Sequence, residues 1–187
     1  MANHDEMMRL QRDATIAIYI RRVFGTRYKD KSYEAYLGNS TENPEYIKFN
    51  DATLGIGCFT GKTGAGKTVL ACHSAYHWWL NHNKHEESLY YSDYTTYFNE
   101  LKGSMGGGEK FDRRKVKNAG YLILDDCFIG KLSDFEMSEL QTLVIQREND
   151  CKKTLLITNQ GYDNMKKMLP DTIFRRIDET HGFIVFK

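Results

Sequence analysis

Five short apolar runs break up an otherwise polar chain. They lie at residues 54–60, 88–92, 121–125, 153–158 and 183–186, and each is dense in Ile, Leu, Val, Tyr, Phe or Thr. Runs this short, bounded by polar or turn-forming residues, predict buried strands rather than helices. The stretches between them predict helices at 69–80, 94–102, 111–118, 134–149, 162–168 and 171–177, with Ser133 as the N-cap of the fourth. Residues 103–108 carry four glycines and predict a flexible loop. At 5–24, Met8, Ile16, Ile18, Tyr19, Ile20 and Val23 alternate with Arg9, Arg12, Arg21 and Arg22; the pattern is helical but too crowded to fix one face. Residues 28–50 are polar, turn-rich and aromatic, and predict a lead-in segment. Strands alternating with helices imply an α/β fold with a mostly parallel sheet covered on both faces. The expected organisation is residues 1–50 as N-terminal helix and lead-in, and 51–187 as one core domain. No internal repeat is visible.

The junction between the 54–60 strand and the 69–80 helix carries chemistry. Gly61, Lys62, Thr63, Gly64, Ala65, Gly66, Lys67 and Thr68 fill every position of G-x-x-x-x-G-K-[ST], the phosphate-binding P-loop. The glycines let backbone N–H groups curl around phosphate oxygens, and the helix N-terminus, with Val69 next in line, adds partial positive charge. In such a loop Lys67 reaches the β- and γ-phosphates and Thr68 holds Mg²⁺. Nucleotide binding is the expectation, with ATP and Mg²⁺ as the ligands.

Three further elements follow along the chain. Leu122-Ile123-Leu124 end in Asp125 and Asp126 at the carboxyl end of a strand. Asp125 is the candidate to hold Mg²⁺ and Asp126 to polarise an attacking water; a solvated acidic turn is the plainer alternative. Asn159, ending the next strand, can orient water or touch a γ-phosphate, or serve as an ordinary turn residue before Gly161. Arg175-Arg176 can stabilise transition-state charge in cis or in trans, or form a solvated basic pair. Arg147 is a further candidate, set against the ordinary preference of cations for helix C-termini.

Composition narrows the partners. The 187 residues carry a net charge of +1 at pH 7, so no global field marks a nucleic-acid binder and any such contact needs a local patch. Lys102, Lys110, Arg113, Arg114, Lys115 and Lys117 supply one, against only Glu109 and Asp112; a solvated basic helix is the alternative. Cys58, Cys72, Cys127 and Cys151 show no C-x-x-C spacing, so zinc is not expected and free thiols are. No apolar run has the length of a membrane span and no signal peptide is visible, which predicts a cytoplasmic protein without membrane contact.

In this order the elements resemble the AAA+ ATPases. Within that group the chain is similar to the DnaC/DnaI-type replicative helicase loaders and the related IstB transposition ATPases. Residues 27–36, 61–68, Leu124-Asp125-Asp126, 140–147, Thr158-Asn159 and Arg175-Arg176-Ile177 carry the likeness, which covers roughly 25–187. The resemblance implies a P-loop NTPase fold of AAA+ type with a mostly parallel five-stranded sheet, and Asn159 in the sensor position. It implies Arg176 as a trans-acting arginine finger, hence self-association through a shared ATP site. It places 102–118 where the family touches single-stranded DNA, with Lys110, Arg113, Arg114, Lys115 and Lys117 as the contacts. The implied activity is ATP-dependent loading of a DnaB-like helicase in DNA replication. An IstB-like transposition or DNA-remodelling ATPase is the alternative, with a small P-loop kinase behind it. Two departures are a short N-terminal region without cysteines and no expected C-terminal helical lid.

Overall fold

A computed structural model of the protein describes residues 7, 24, 44–52, 54–81, 89–107 and 111–186. Of the helical pattern at 5–24, only Met7 and Phe24 are described, both helical. The lead-in stretch 27–36 and Lys110 lie outside the described residues.

The strands are β1 (Ile56–Gly61), β2 (Leu89–Asp93), β3 (Tyr121–Cys127), β4 (Lys153–Thr158) and β5 (Phe183–Phe186). The helices are α1 (Pro44–Asp51), α2 (Lys67–Asn81), α3 (Tyr94–Met105), α4 (Arg113–Asn118), α5 (Asp134–Asn149), α6 (Tyr162–Met168) and α7 (Asp171–Thr180). All strands run parallel in the order β2-β3-β4-β1-β5. Every residue of β4 is buried, as expected of a central parallel strand covered on both faces.

Side-chain alternation along β3 splits the core in two. Leu122 and Leu124 join Tyr97, Phe98, Leu101, Leu140, Val144, Ile173 and Ile177 under α3, α5 and α7. Tyr121 and Ile123 join Phe59, Tyr46, Phe49, Leu70, Ala71, Ala75 and Trp78 under α1 and α2. The result is a three-layer sandwich whose carboxyl strand ends all open on one edge.

Local chemistry accounts for most boundaries. Ser133 caps α5 in a reciprocal capping box with Glu136. Asp93, the last residue of β2, accepts from Thr96 N at 2.8 Å and starts α3 with no loop between them. Three expectations need correction. α3 does not stop at Lys102 but runs through Gly103 to Met105, because Leu101 is buried and the Gly106 N–H satisfies the carbonyls of Lys102 and Gly103. The helix expected to start at Val69 begins two residues earlier, at Lys67. The lead-in holds a helix, α1, that buries Tyr46 and Phe49 against the sheet.

Two cations stitch the amino end of the sheet. Lys153 Nζ donates to the carbonyls of Phe49, Asn50 and Ala52 at 2.9–3.2 Å, and sits 4.5 Å from the Phe49 ring centroid. It closes the C-terminus of α1 from inside the protein. Arg147 donates to the carbonyls of Val116, Lys117, Ala119 and Lys153 and to the Thr154 hydroxyl. Burial pulls the Lys153 ammonium down to about 7 and the Arg147 guanidinium to about 9. Arg147 is wholly buried, so it is not available as a finger for a neighbouring molecule.

Candidate functional site

The site is built where β1, β3 and β4 end. β1 delivers Gly61 with φ 141°, and a Cβ there would stand 2.2 Å from the Phe186 carbonyl oxygen, so only glycine lets the chain leave the sheet beside β5. Gly64 turns the loop with φ 85° in open space. The loop closes with Ala65 N donating to Lys62 O at 3.2 Å, and α2 begins at Lys67. Thr68 therefore sits in its first turn, where the helix dipole favours an anion.

Lys67 is 6% exposed. Its Nζ donates to Gly61 O, Lys62 O and Asn159 Oδ1, each at 2.8 Å. Burial pushes this ammonium below the ordinary lysine range, while Asp125 and Asp126 pull it back up. The three acceptors match the three protons of an ammonium.

β3 ends in a bulge. Its register with β4 shifts between Leu124 and Cys127, and Asp126 (φ 52°) and Phe128 (φ 66°) take left-handed conformations. Thr158 Oγ1 pins the bulge by donating to Cys127 O at 2.8 Å. The consequence is that two adjacent carboxylates have opposite environments. Asp125 is 5% exposed, whereas Asp126 is turned out to solvent. Burial pushes the Asp125 carboxyl above the usual range, opposed by hydrogen bonds from the Thr68 hydroxyl, the Asp126 N–H and the Tyr91 hydroxyl. Backbone strain at Asp126 is the kind found where a side chain must be aimed.

β4 supplies the link. Asn159 is exposed; its Oδ1 accepts from Lys67, and its Nδ2 donates to Asp126 Oδ1 at 3.3 Å. One amide thus joins the P-loop cation to the outer carboxylate. Lys67, Thr68, Asp125, Asp126 and Asn159 come together from stretches far apart in the chain. Lys62, Thr63, Gly64, Ala65, Gly66 and Val69 form the loop and the first turn of α2.

The remaining candidates lie elsewhere. Arg176 is half-buried on α7 and its guanidinium is paired with Glu148 at the end of α5. Arg175, one position earlier, is 68% exposed and stands 3.7 Å from Glu179. α7 ends beside the start of β1, since Thr180 Oγ1 donates to Ile56 O at 2.6 Å. Through Thr180 and the Arg176–Glu148 pair, α7 is tied to the amino end of the sheet, opposite the end that carries Lys67. On α4, Arg113 lies 3.5 Å from Glu139, and Lys102 on α3 pairs with Glu136 at 3.0 Å, so α5 neutralises part of the basic segment. Arg114 and Lys115 are exposed and Lys117 is partly so. Sequence reasoning passed over Tyr91, whose hydroxyl meets Asp125 Oδ2 at 3.1 Å. Its signal was the run 88–92 ending beside the acidic strand, which becomes informative only once β2 and β3 are known to pair.

The fold has counterparts among solved structures. The crystal structure of the DnaC helicase loader superposes with a TM-score of 0.64 at 22% identity, covering 76% of this chain and 86% of that one. Domain III of the Thermotoga maritima replication initiation protein DnaA gives 0.65 at 18% identity, covering 80% and 62%. DnaI gives 0.59 at 18% identity, covering 76% and 78%. A DnaA bound to AMPPCP and single-stranded DNA gives 0.66 at 15% identity, and this chain spans 49% of its length. No family model and no curated protein matches the sequence. The five-stranded parallel sheet flanked by helices is thus the fold seen in the DnaC and DnaI structures. Among the described residues, no helix is long and apolar enough to cross a membrane.

Proposed function

We propose that this chain is a Mg²⁺-dependent ATPase that loads a replicative, DnaB-like helicase onto single-stranded DNA in the cytoplasm. The observation that carries the ATPase part is the Asn159 amide, bonded on one side to Lys67 and on the other to Asp126. The network joins the cation, carboxylate and amide to which this reading gives phosphate binding, water polarisation and orientation, the parts that phosphoanhydride hydrolysis needs.

In this reading ATP lies along residues 61–69 with its phosphates at the α2 N-terminus. Lys67 exchanges a protein acceptor for phosphate oxygens. Thr68 and Asp125 would hold Mg²⁺: a hydroxyl already bonded to a carboxylate is a hard oxygen donor set that suits this ion. Bound there, the ion would neutralise charge on the phosphates. Asp126, exposed and aimed outward by the bulge, takes the proton of the attacking water, and Asn159 holds that water in line. A further positive charge for this site comes in trans from α7 of a neighbouring copy. Arg176 would have to leave Glu148 for this, whereas Arg175 is already turned to solvent. Arg113, Arg114, Lys115 and Lys117, with Lys110 a few positions earlier in the sequence, meet DNA phosphates.

The likeness to DnaC and DnaI supports loading over transposition. Turnover measured with and without single-stranded DNA, followed by capture from native host extract in ATP, tests both halves. Stimulation by DNA and capture of a hexameric helicase support the reading. Capture of a transposase moves the chain to the IstB-like alternative, and phosphoryl transfer to a small acceptor makes it a kinase.

A further inference from the structure

Tyr91 stands in the middle of β2, paired in register with Ile123, two residues short of the Asp93–Asp125 pair. From there its hydroxyl crosses to Asp125 Oδ2 at 3.1 Å, while the Asp126 N–H takes Oδ1 at 2.8 Å. Each carboxylate oxygen is thus held by a different strand position. Two bonds on two oxygens, beside the one from the Thr68 hydroxyl, fix the rotation of a carboxylate, and so the direction in which its free lone pairs point. A phenylalanine would fill the same half-buried space, so the hydroxyl is the part that acts on the carboxylate. The ring has a second neighbour. Phe24, 5% exposed, packs on it with centroids 4.3 Å apart and planes 35° apart. Phe24 shares its core cluster with Leu70 and Ala71 of α2, the helix that opens with Lys67 and Thr68.

We propose that Tyr91 is a positioning residue for the metal-holding carboxylate of Asp125, and that Phe24 sets Tyr91 by packing on its ring. The inference rests on the ATPase reading above and adds a positioning residue to it.

The test uses the full chain and a fluorescent ADP analogue, with binding measured in EDTA and across a Mg²⁺ titration. Tyr91→Phe keeps the ring and removes the hydroxyl. Phe24→Leu keeps the core filled and removes the aromatic partner. Affinity in EDTA should stay within about twofold of wild type in both, because both substitutions keep the apolar packing and leave Lys67 and its three acceptors in place. The Mg²⁺ concentration for half-maximal enhancement should rise about tenfold in Tyr91→Phe, the low end for a lost hydrogen bond to a charged group. It should rise about threefold in Phe24→Leu, the scale of one aromatic pair. The double variant should match Tyr91→Phe alone, since Phe24 acts only through that hydroxyl. Wild-type Mg²⁺ dependence in Tyr91→Phe overturns the proposal, and additive effects in the double variant overturn the role of Phe24. A wild-type chain without any Mg²⁺-dependent binding would instead remove the ATPase reading from which this one starts.

Discussion

At the carboxyl end of the sheet, Lys67 is 6% exposed and bonds two loop carbonyls and the Asn159 side chain. At the amino end, Lys153 and Arg147 are fully buried and bond seven backbone carbonyls and one hydroxyl between them. All three cations have their affinity for protons lowered by burial, so depth alone does not separate them. The acceptors do. Those of Lys67 belong to a glycine-rich loop and to an exposed amide, which can give way to phosphate. Those of Arg147 and Lys153 are helix-end and strand-end carbonyls that would be left unpaired. Acid neighbours do not separate them either: Asp125 and Asp126 bear on Lys67, Asp150 on Arg147 and Asp51 on Lys153. A cation whose partners are exchangeable belongs to chemistry; one that closes backbone carbonyls belongs to the fold.

This comparison can be broken by substitution. Arg147→Met should cost the most. It leaves the carbonyls of Val116, Ala119 and Lys153 without their donor, and the loss should be about 3–5 kcal/mol in urea unfolding. ATP affinity of the folded fraction should not change. A variant that stays stable but loses ATP binding would reverse the assignment of the two ends.

Lys67→Ala should do the opposite. Nucleotide affinity should fall at least about a hundredfold, the worth of two charge-assisted hydrogen bonds, while the melting temperature holds or rises. Isothermal titration beside a thermal melt separates the two effects. Near-wild-type affinity would take Lys67 out of the site.

The smallest effect sharpens the amino end. The Lys153 ammonium is lowered to about 7 in the fold from 10.5, so between those values the unfolded chain binds a proton that the folded chain does not. Stability therefore rises with pH across that window. The advantage of wild type over Lys153→Met should grow by on the order of 2 kcal/mol from pH 7 to pH 9. A difference flat with pH would mean that Lys153 stays charged in its carbonyl cage.

Much of the carboxyl end was legible because its signals are local. The P-loop, the apolar run before Asp125 and the position of Asn159 each fit within a few residues, and short contiguous patterns survive without knowledge of the fold. The amino end was not, because its partners are distant. Arg147 reads as an ordinary basic residue at a helix end, and its carbonyl acceptors on and after α4 lie 28–31 residues away. Lys153 holds α1 from about a hundred residues downstream. That distance is why Tyr46 and Phe49, two aromatics in a polar stretch, did not announce a helix. The aim of Asp126 had the same cause: the bulge at the end of β3 is pinned by Thr158, 31 residues on. Tyr91 escaped notice because nothing in β2 says which strand lies beside it. Arg176 was legible as a basic residue before Ile177, but its pairing with Glu148 joins two helices that are separate in sequence.

The central claim is that the carboxyl end hydrolyses ATP with Asp126 as the base. The most direct test is phosphate release by wild type and by Asp126→Asn, with ATP binding measured on the same samples. The amide keeps the shape and the contact with Asn159 but cannot take a proton. The account predicts Mg²⁺-dependent release by wild type, and in Asp126→Asn equal binding with release lowered by about 10²–10⁴-fold. Wild-type release from Asp126→Asn, or ATP bound by wild type and never turned over, would contradict it.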